Sequence, residues 1–334
     1  MTAFRINQFK GVIPRAPDHT LREGDARVAH DVDLSRGTLA PLREKKFLQS
    51  APDTAIRIYQ MGCCTYTFDS CVDVAEWIPE CPRLYVTGRT SYPEVGTPTG
   101  NCGLTMQRLG VPQPTKPLYA QTTTTETAKD VSEVSYVYTF KNNFGEESGP
   151  SPASNDVLKQ DAEGSITLTG FYTPSFEYAV ATVCVYRRET GFFTGNEPVE
   201  TPSTDYYLIG EYPVATQTVT DTTPIVQLGR ALWTMGVEEP PRKLTNITAI
   251  GGTMAMVASV GNKLYFSKAG QPWNWPRSQE MTLDDNIIDI VDQNGALYIL
   301  TTSGPYVVQG DGGCDERQCR VVTKLEYKMP LIAC

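Results

Sequence analysis

The sequence has little of what catalysis usually requires. Two histidines occur in 334 residues, so few side chains are available as general bases near neutral pH. There is no Gly-x-Ser-x-Gly nucleophile motif and no glycine-rich phosphate loop ahead of a helix. Adjacent carboxylates occur at 238–239 and 284–285, but strand neighbours point in opposite directions, which favours turns or solvated edges. We therefore predict a non-enzyme without catalytic, cofactor-binding or metal-binding residues.

Long apolar runs and helical periodicity are also missing. The longest stretch without charge, residues 244–262, is broken by Thr, Asn, Gly and Ser, so paired strands are favoured over a membrane span. The first ten residues lack the apolar core of a secretion signal. Short runs of Val, Ile, Thr and Tyr alternate with Gly, Pro, Asn and Asp. This pattern predicts an all-β protein that is made in the cytosol and has no membrane partner.

The charge balance argues against nucleic-acid binding. The formal net charge is -9 and the sequence pI is about 4.9, whereas sequence-independent binding to phosphates depends on Lys and Arg. A basic stretch at Arg43, Lys45 and Lys46 contains Glu44 and is more typical of a solvated loop.

Nine cysteines are many for such a chain, and five lie between Cys63 and Cys102. A zinc site would lack the usual paired CxxC spacing and a nearby histidine. A buried free thiol is the favoured interpretation of Cys184. Disulfides formed after the protein leaves a reducing compartment are a further alternative. We predict a Cys314–Cys319 bridge across a hairpin and at least one bridge in the 63–102 cluster, with reduced thiols throughout as the alternative.

The patterns divide the chain into four segments. Residues 1–50 alternate turn formers with single apolar anchors, which predicts an extended N-terminal arm docked on a neighbour. Residues 51–116 form a β-rich, blade-like segment. Residues 117–224 hold about seven strands, as in an immunoglobulin- or fibronectin-like β-sandwich. Residues 225–334 repeat strand patterns with a period of roughly 40, the spacing of propeller blades. The expected fold is a partial β-propeller with the sandwich inserted between blades.

Two N-terminal motifs carry a family resemblance. The first is Phe-x-Gly followed by Pro-Arg, and the second is Asp-Val-Asp-Leu followed by Gly-x-Leu-x-Pro-Leu-Arg. Further matches occur at 264–276 and 304–310. In this order, the motifs resemble those of virion proteins of short-tailed bacteriophages, similar to the tail nozzle or tube proteins below the portal. The matching N-terminal residues are Phe9, Gly11, Pro14, Arg15, Asp31, Val32, Asp33, Leu34, Gly37, Leu39, Pro41, Leu42 and Arg43.

The resemblance implies a structural tail component. Copies of the chain would form a ring, contact tail proteins on the portal or adaptor side and on the distal side, and let DNA pass transiently. The protein would be located in the virion tail after assembly in the host bacterial cytoplasm. Because relatives are expected to have more blades, the chain is a short relative, a fragment, or a protein that completes its sheets with neighbours. Candidate assembly contacts are Phe9, Gly11, Pro14, Arg15, Asp33, Leu34, Leu39, Pro41, Leu42 and Arg43.

Two other functions remain open from the sequence. One is a receptor-binding or tail-fibre module that recognises a host surface glycan, and the other is an enzyme that depolymerises such a glycan. Trp273, Trp275 and Tyr306 could stack on sugars, although packing between blades is the favoured interpretation.

Overall fold

The computed structural model describes residues 10–13, 17–22, 25–26, 28, 32–33, 40–41, 50–77, 83–122, 131–160, 164–194, 197–198, 205–251, 254–293, 296–309 and 320–324. Regular structure in these residues consists of β-strands and three-residue 3-10 turns, so the predicted all-β class is confirmed. No helix in this part of the chain is long and apolar enough to cross a membrane. The chain divides into two units, Met1–Pro52 and Asp53–Cys334.

The Met1–Pro52 unit contains very short strands in its described part. Strands β1 (Gly11–Val12) and β2 (Asp25–Ala26) pair in parallel, and β3 (Val32–Asp33) and β4 (Ala40–Pro41) pair antiparallel. A 3-10 turn spans Asp18–Thr20. Two-residue strands bury little apolar surface, and Val12 and Ile13 are 45% and 43% exposed. The extended arm remains a prediction.

The second unit begins with two antiparallel sheets. The hairpin consists of β5 (Arg57–Met61) and β6 (Cys64–Phe68). The first meander consists of β7 (Asp73–Trp77), β8 (Arg83–Thr87), β9 (Glu94–Thr99) and β10 (Gly103–Arg108), with a 3-10 turn at Gly100–Cys102. Strand β8 ends at Thr87, and the next residue, Gly88, has a φ of +89°. A Cβ there would lie 2.6 Å from the Cys71 carbonyl oxygen, so this turn requires glycine.

The next eight strands form two antiparallel sheets, together called the two-sheet unit. One sheet has the order β11-β14-β18, and the other has β13-β12-β15-β16, with β17 also paired to β15. A 3-10 turn spans Phe176–Tyr178. The strands are β11 (Tyr119–Thr122), β12 (Val131–Asn142), β13 (Val157–Gln160), β14 (Ile166–Thr169), β15 (Val180–Thr194), β16 (Glu197–Pro198), β17 (Tyr207–Pro213) and β18 (Thr218–Asp221).

One hydrophobic core joins the two sheets. Leu118, Ile166 and Val219 from the first sheet region pack in the same cluster as Tyr136 and Val185 from the second. A buried ion pair crosses between the sheets: Arg187 Nη1 donates to Asp221 Oδ2 at 2.7 Å, and both side chains are 0% exposed. The Tyr136 hydroxyl donates to the same oxygen at 2.8 Å. The carboxylate thus has a positive partner and a hydrogen-bond donor inside the core.

The larger sheet of this unit continues beyond β18 in sequence. After a 3-10 turn at Ile225–Gln227, the chain runs beside β17, where Leu232 N donates to Tyr206 O at 2.7 Å. Arg230 Nη2 then donates to Glu147 Oε2 at 2.8 Å, and the Tyr186 hydroxyl donates to Glu147 Oε1 at 2.6 Å. Glu147 is 1% exposed, so residues through Leu232 help to compensate a buried charge.

Two more four-stranded antiparallel meanders follow, with a 3-10 turn at Arg277–Gln279. The second meander has β19 (Thr245–Ile250), β20 (Ala255–Val260), β21 (Lys263–Phe266) and β22 (Glu280–Thr282). The third has β23 (Ile287–Gln293), β24 (Ala296–Thr301), β25 (Pro305–Gln309) and β26 (Arg320–Lys324). The repeated sequence pattern therefore corresponds to repeated antiparallel meanders.

The hairpin and the three meanders stack face to face in chain order. The hairpin packs on the first meander through Tyr66, Phe68, Leu84 and Val86, and three hydrophobic clusters in all join successive sheets. Strand β20 illustrates the arrangement: Ala255 and Val257 face the third meander, whereas Met256 and Ala258 face the first. Because successive residues point to opposite faces, burial on both faces explains the nearly continuous apolar sequence of β20.

The first strands of the three meanders lie next to one another. Asn246 N on β19 donates to Asp73 Oδ2 on β7 at 2.7 Å. The Thr248 hydroxyl on β19 donates to the Ile290 carbonyl oxygen on β23 at 3.1 Å. The sheets are therefore joined at β7, β19 and β23 as well as through their faces.

Candidate functional site

The outer face of the third meander carries exposed apolar side chains. In β24, Leu297 and Ile299 are buried toward the second meander, whereas Tyr298 is 41% exposed on the opposite face. Tyr298 pairs in register with Val291 on β23 and with Val307 on β25. Val291 is 53% exposed. Next to this row, Asp289 on β23 pairs with Leu300 on β24. We call the surface formed by Val291, Tyr298, Val307, Asp289 and Leu300 the meander end face.

The opposite end of the stack has a second exposed apolar surface. Tyr59 and Met61 of the hairpin pack toward the first meander, whereas Ile58 is 56% exposed on the other face. Ile56, two residues earlier, is 60% exposed. We call the surface carrying Ile56 and Ile58 the hairpin end face. Both ends of the stack therefore expose apolar side chains, whereas the sheets inside the stack bury such side chains against a neighbouring sheet.

A disulfide attaches the hairpin to the first meander. Cys64 on β6 is bonded to Cys102 in the turn between β9 and β10, with a Cα–Cα distance of 5.3 Å. The Tyr59 hydroxyl also donates to Glu76 Oε1 at 3.0 Å. Burial and this hydrogen bond raise the pKa of Tyr59 to about 12. The prediction of a bridge within the 63–102 cluster is confirmed.

The remaining cysteine predictions differ in outcome. Cys184 is a buried free thiol, as expected, and burial together with the Glu147 carboxylate raises its pKa to about 12. Cys63 is an exposed free thiol. Cys314 and Cys319 lie outside the described residues, so their bridge remains a prediction. Within the described ranges, no group of three or more His, Cys, Asp or Glu side chains is arranged to hold a metal ion.

The described residues also form a charged, concave cleft of about 830 Å³. The Arg108 guanidinium lies 3.2 Å from the Tyr92 ring centroid and 4.4 Å from that of Tyr178. The Tyr178 hydroxyl donates to Glu239 Oε2 at 2.8 Å, and Arg108 Nη2 lies 3.8 Å from that oxygen. The lining includes Arg108, Gln113, Tyr178, Glu238, Glu239, Arg242, Tyr265, Arg277 and Glu280.

The adjacent carboxylates bind different partners. In the cleft, Glu238 Oε2 lies 3.3 Å from Arg277 Nε, while Glu239 contacts Tyr178 and Arg108. In the third meander, Asp285 accepts a hydrogen bond from the Tyr306 hydroxyl at 3.2 Å. Glu238, Glu239 and Asp285 thus each contact a side chain of the protein itself.

The aromatic residues considered for sugar stacking pack between sheets. Trp275 is 2% exposed, belongs to the cluster between the first and second meanders, and donates through Nε1 to Pro272 O at 2.8 Å. Trp273 packs against the same cluster, and Tyr306 lies 7% exposed between the second and third meanders. The favoured prediction of packing is confirmed.

Three of the candidate assembly contacts fall in described N-terminal strands: Gly11 in β1, Asp33 in β3 and Pro41 in β4. The other candidates lie outside the described residues: Phe9, Pro14, Arg15, Leu34, Leu39, Leu42 and Arg43. Their role as assembly contacts remains a prediction.

Sequence reasoning missed the two end faces of the stack. The available signal was a pair of apolar residues at successive positions, as at Ile58 and Tyr59 or at Tyr298 and Ile299, because such a pair places apolar side chains on both faces of a strand.

A scan against protein-family models finds no match for this chain. A search of curated proteins finds no significantly similar sequence.

Proposed function

We propose that the protein is a non-catalytic structural component of a bacteriophage tail and forms a ring through subunit contacts. The main supporting observation is the open stack of sheets, with exposed apolar groups at both ends. Apolar area that can be removed from water by contact favours association, at roughly 25 cal/mol per Å². This arrangement suits a protein whose role is shape and contact.

The finer fold belongs to the same proposal. We interpret the hairpin and meanders as blades of a partial β-propeller, because four-stranded meanders stack in chain order with their first strands adjacent. The two-sheet unit lies between β10 and β19 in sequence, which supports an immunoglobulin- or fibronectin-like insertion. The N-terminal arm would add contacts to a neighbouring subunit.

The proposed location is the virion tail, assembled in the host bacterial cytoplasm. Partners would be copies of the chain and tail proteins on the portal or adaptor side and on the distal side. DNA would pass transiently, and the net charge of -9 would disfavour its retention through phosphate contacts.

Particle composition tests this function. The chain should be present at several copies in gradient-purified particles of the phage that encodes it, measured by quantitative mass spectrometry against a major capsid peptide. It should also remain with isolated tails after heads are disrupted. Its absence from purified particles, or its recovery with heads only, would contradict the proposal.

A second candidate is a receptor-binding module, which the polar, tyrosine-containing cleft favours. Such clefts with convergent polar groups are common ligand sites. Purified protein on a glycan array would show saturable binding that Arg242→Ala weakens, since Arg242 is exposed in the cleft lining. Binding that is unchanged by this substitution would exclude the cleft.

A further inference from the structure

An exposed thiol lies beside the disulfide that attaches the hairpin to the first meander. Gly62 and Cys63 form the two-residue turn between β5 and β6. The next residue, Cys64, is bonded to Cys102. Cys63 is a free, exposed thiol, and Cys102 is exposed as well. A nucleophile and a disulfide that it can attack are therefore neighbours at the protein surface.

Two exchange reactions are conceivable, and geometry separates them. Attack on the Cys64 sulfur would bridge consecutive residues, whose Cα atoms are about 3.8 Å apart, below the range of about 4.4–6.8 Å that disulfides usually span. Attack on the Cys102 sulfur would instead bridge two turns. Because the Cα atoms of Cys64 and Cys102 are 5.3 Å apart, those of Cys63 and Cys102 are at most about 9 Å apart. An approach of the two turns by about 2.5 Å or less therefore permits this bridge.

The two turns have room for such an approach. A Cβ placed at Gly62, beside Cys63, would have no heavy atom within 4 Å, and the same holds at Gly100, two residues before Cys102. Both glycines are exposed. On the side of these glycines the two turns therefore border open space rather than packed side chains.

The two bridges differ in free energy mainly through local packing. A Cys63–Cys102 bridge closes a loop only one residue longer than the observed bridge, whose cysteines are 38 residues apart, so the loop-closure entropy is nearly the same. Cys64 packs against the apolar cluster between the hairpin and the first meander, which favours the observed bridge. The alternative bridge should therefore be a minor form.

We propose that Cys63 exchanges with Cys64 for the bond to Cys102. The Cys63 thiolate attacks the Cys102 sulfur, and a Cys63–Cys102 bond forms as the Cys64–Cys102 bond breaks. The electron pair leaves on the Cys64 sulfur, which takes up a proton, so no oxidant or reductant is consumed. The exchange moves the covalent attachment of the hairpin from strand β6 to its turn. This inference is independent of the proposed function.

Peptide mapping of the full chain tests the exchange. Purified protein is held at a pH of about 8.5, where thiolates are abundant, and free thiols are trapped with a maleimide before digestion with trypsin. The bridge joins the tryptic peptides 58–83 and 90–108, and fragment ions that divide Cys63 from Cys64 show which sulfur is bonded. We expect on the order of a tenth of the molecules to carry the bridge at Cys63 and the maleimide at Cys64, reached faster as the pH rises.

Two variants test whether Cys63 reaches Cys102. In oxidised Cys64→Ser protein, Cys63 is the thiol left beside Cys102, so the Cys63–Cys102 bridge should form. This variant should also unfold at a higher guanidinium concentration than Cys64→Ser with Cys102→Ser. The matched control is Cys63→Ser with Cys64→Ser, because any bond to Cys102 in that protein comes from other cysteines.

Either of two results would overturn the proposal. One is wild-type protein in which the bond stays at Cys64 and the maleimide at Cys63 across the pH range. The other is a folded Cys64→Ser variant in which Cys102 is bonded no more often than in the matched control. If Cys64→Ser does not fold, the wild-type peptide map decides, because it requires no substitution.

Discussion

Removal of the Cys64–Cys102 disulfide should destabilise the packing of the hairpin on the first meander. The bond joins β6 to the turn between β9 and β10, and its two cysteines are 38 residues apart in sequence. We consider a double substitution, Cys64→Ser with Cys102→Ser, so that neither thiol remains to form another bridge. Cys63→Ser is the control, because Cys63 is an adjacent, exposed free thiol.

The magnitude follows from the loop that the bond closes. In the chain-entropy model, a separation of 38 residues reduces the entropy of the unfolded chain by about 13 cal/mol/K. At 25 °C this corresponds to about 4 kcal/mol of stabilisation. The double variant should lose roughly this amount from the unfolding transition that includes β5 to β10.

Guanidinium unfolding, together with hydrogen exchange of β5 and β6, measures the effect. The hairpin amides should exchange much faster in the double variant, whereas amides of the third meander should change little. A loss smaller than about 1 kcal/mol would refute the reasoning. So would full alkylation of Cys64 and Cys102 in folded, unreduced wild-type protein, because the bond would then be absent.

Three further predictions concern the two-sheet unit. Asp221→Asn should destabilise the two-sheet unit by about 3–5 kcal/mol, because Arg187 loses its buried partner. Chemical unfolding measures this loss of stability, with Asp156→Asn at an exposed position as the control. Equal losses in the two variants would argue against a contribution from the buried ion pair. A fragment of residues 117–233 should unfold more cooperatively than 117–224, because only the longer one retains Arg230 beside Glu147; identical unfolding curves would contradict this. In folded protein at pH 8, a thiol reagent should label Cys63 much faster than Cys184, because Cys184 is buried and the pKa of its thiol is raised to about 12. Comparable labelling rates for the two cysteines would show that the Cys184 thiol is accessible.

Local patterns predicted the class of the fold well. The alternating run around Tyr136–Phe140 forms part of β12, and the weak repeat corresponds to β19–β21 and β23–β25. Such features depend on neighbouring residues, which a sequence displays directly. The order β11-β14-β18 depends on pairings between segments far apart in the chain, which local alternation does not encode.

The candidate surfaces were harder to foresee for the same reason. Apolar residues at successive positions of β5 and β24 indicate two apolar faces, but only the stacking of sheets shows which face is covered. The cysteine cluster predicted a bridge, whereas the pairing of Cys64 with Cys102 needed the fold, because spacing alone does not determine connectivity. Likewise, nothing local links Arg187 to Asp221 across two sheets.

A reconstruction of the phage particle by electron cryomicroscopy tests the central proposal most directly. The account predicts several copies of this chain arranged as a closed ring in the tail, joined through contacts between neighbouring subunits. A reconstruction that places the chain at the tip of a fibre, or shows no copy of it in the tail, would contradict the account.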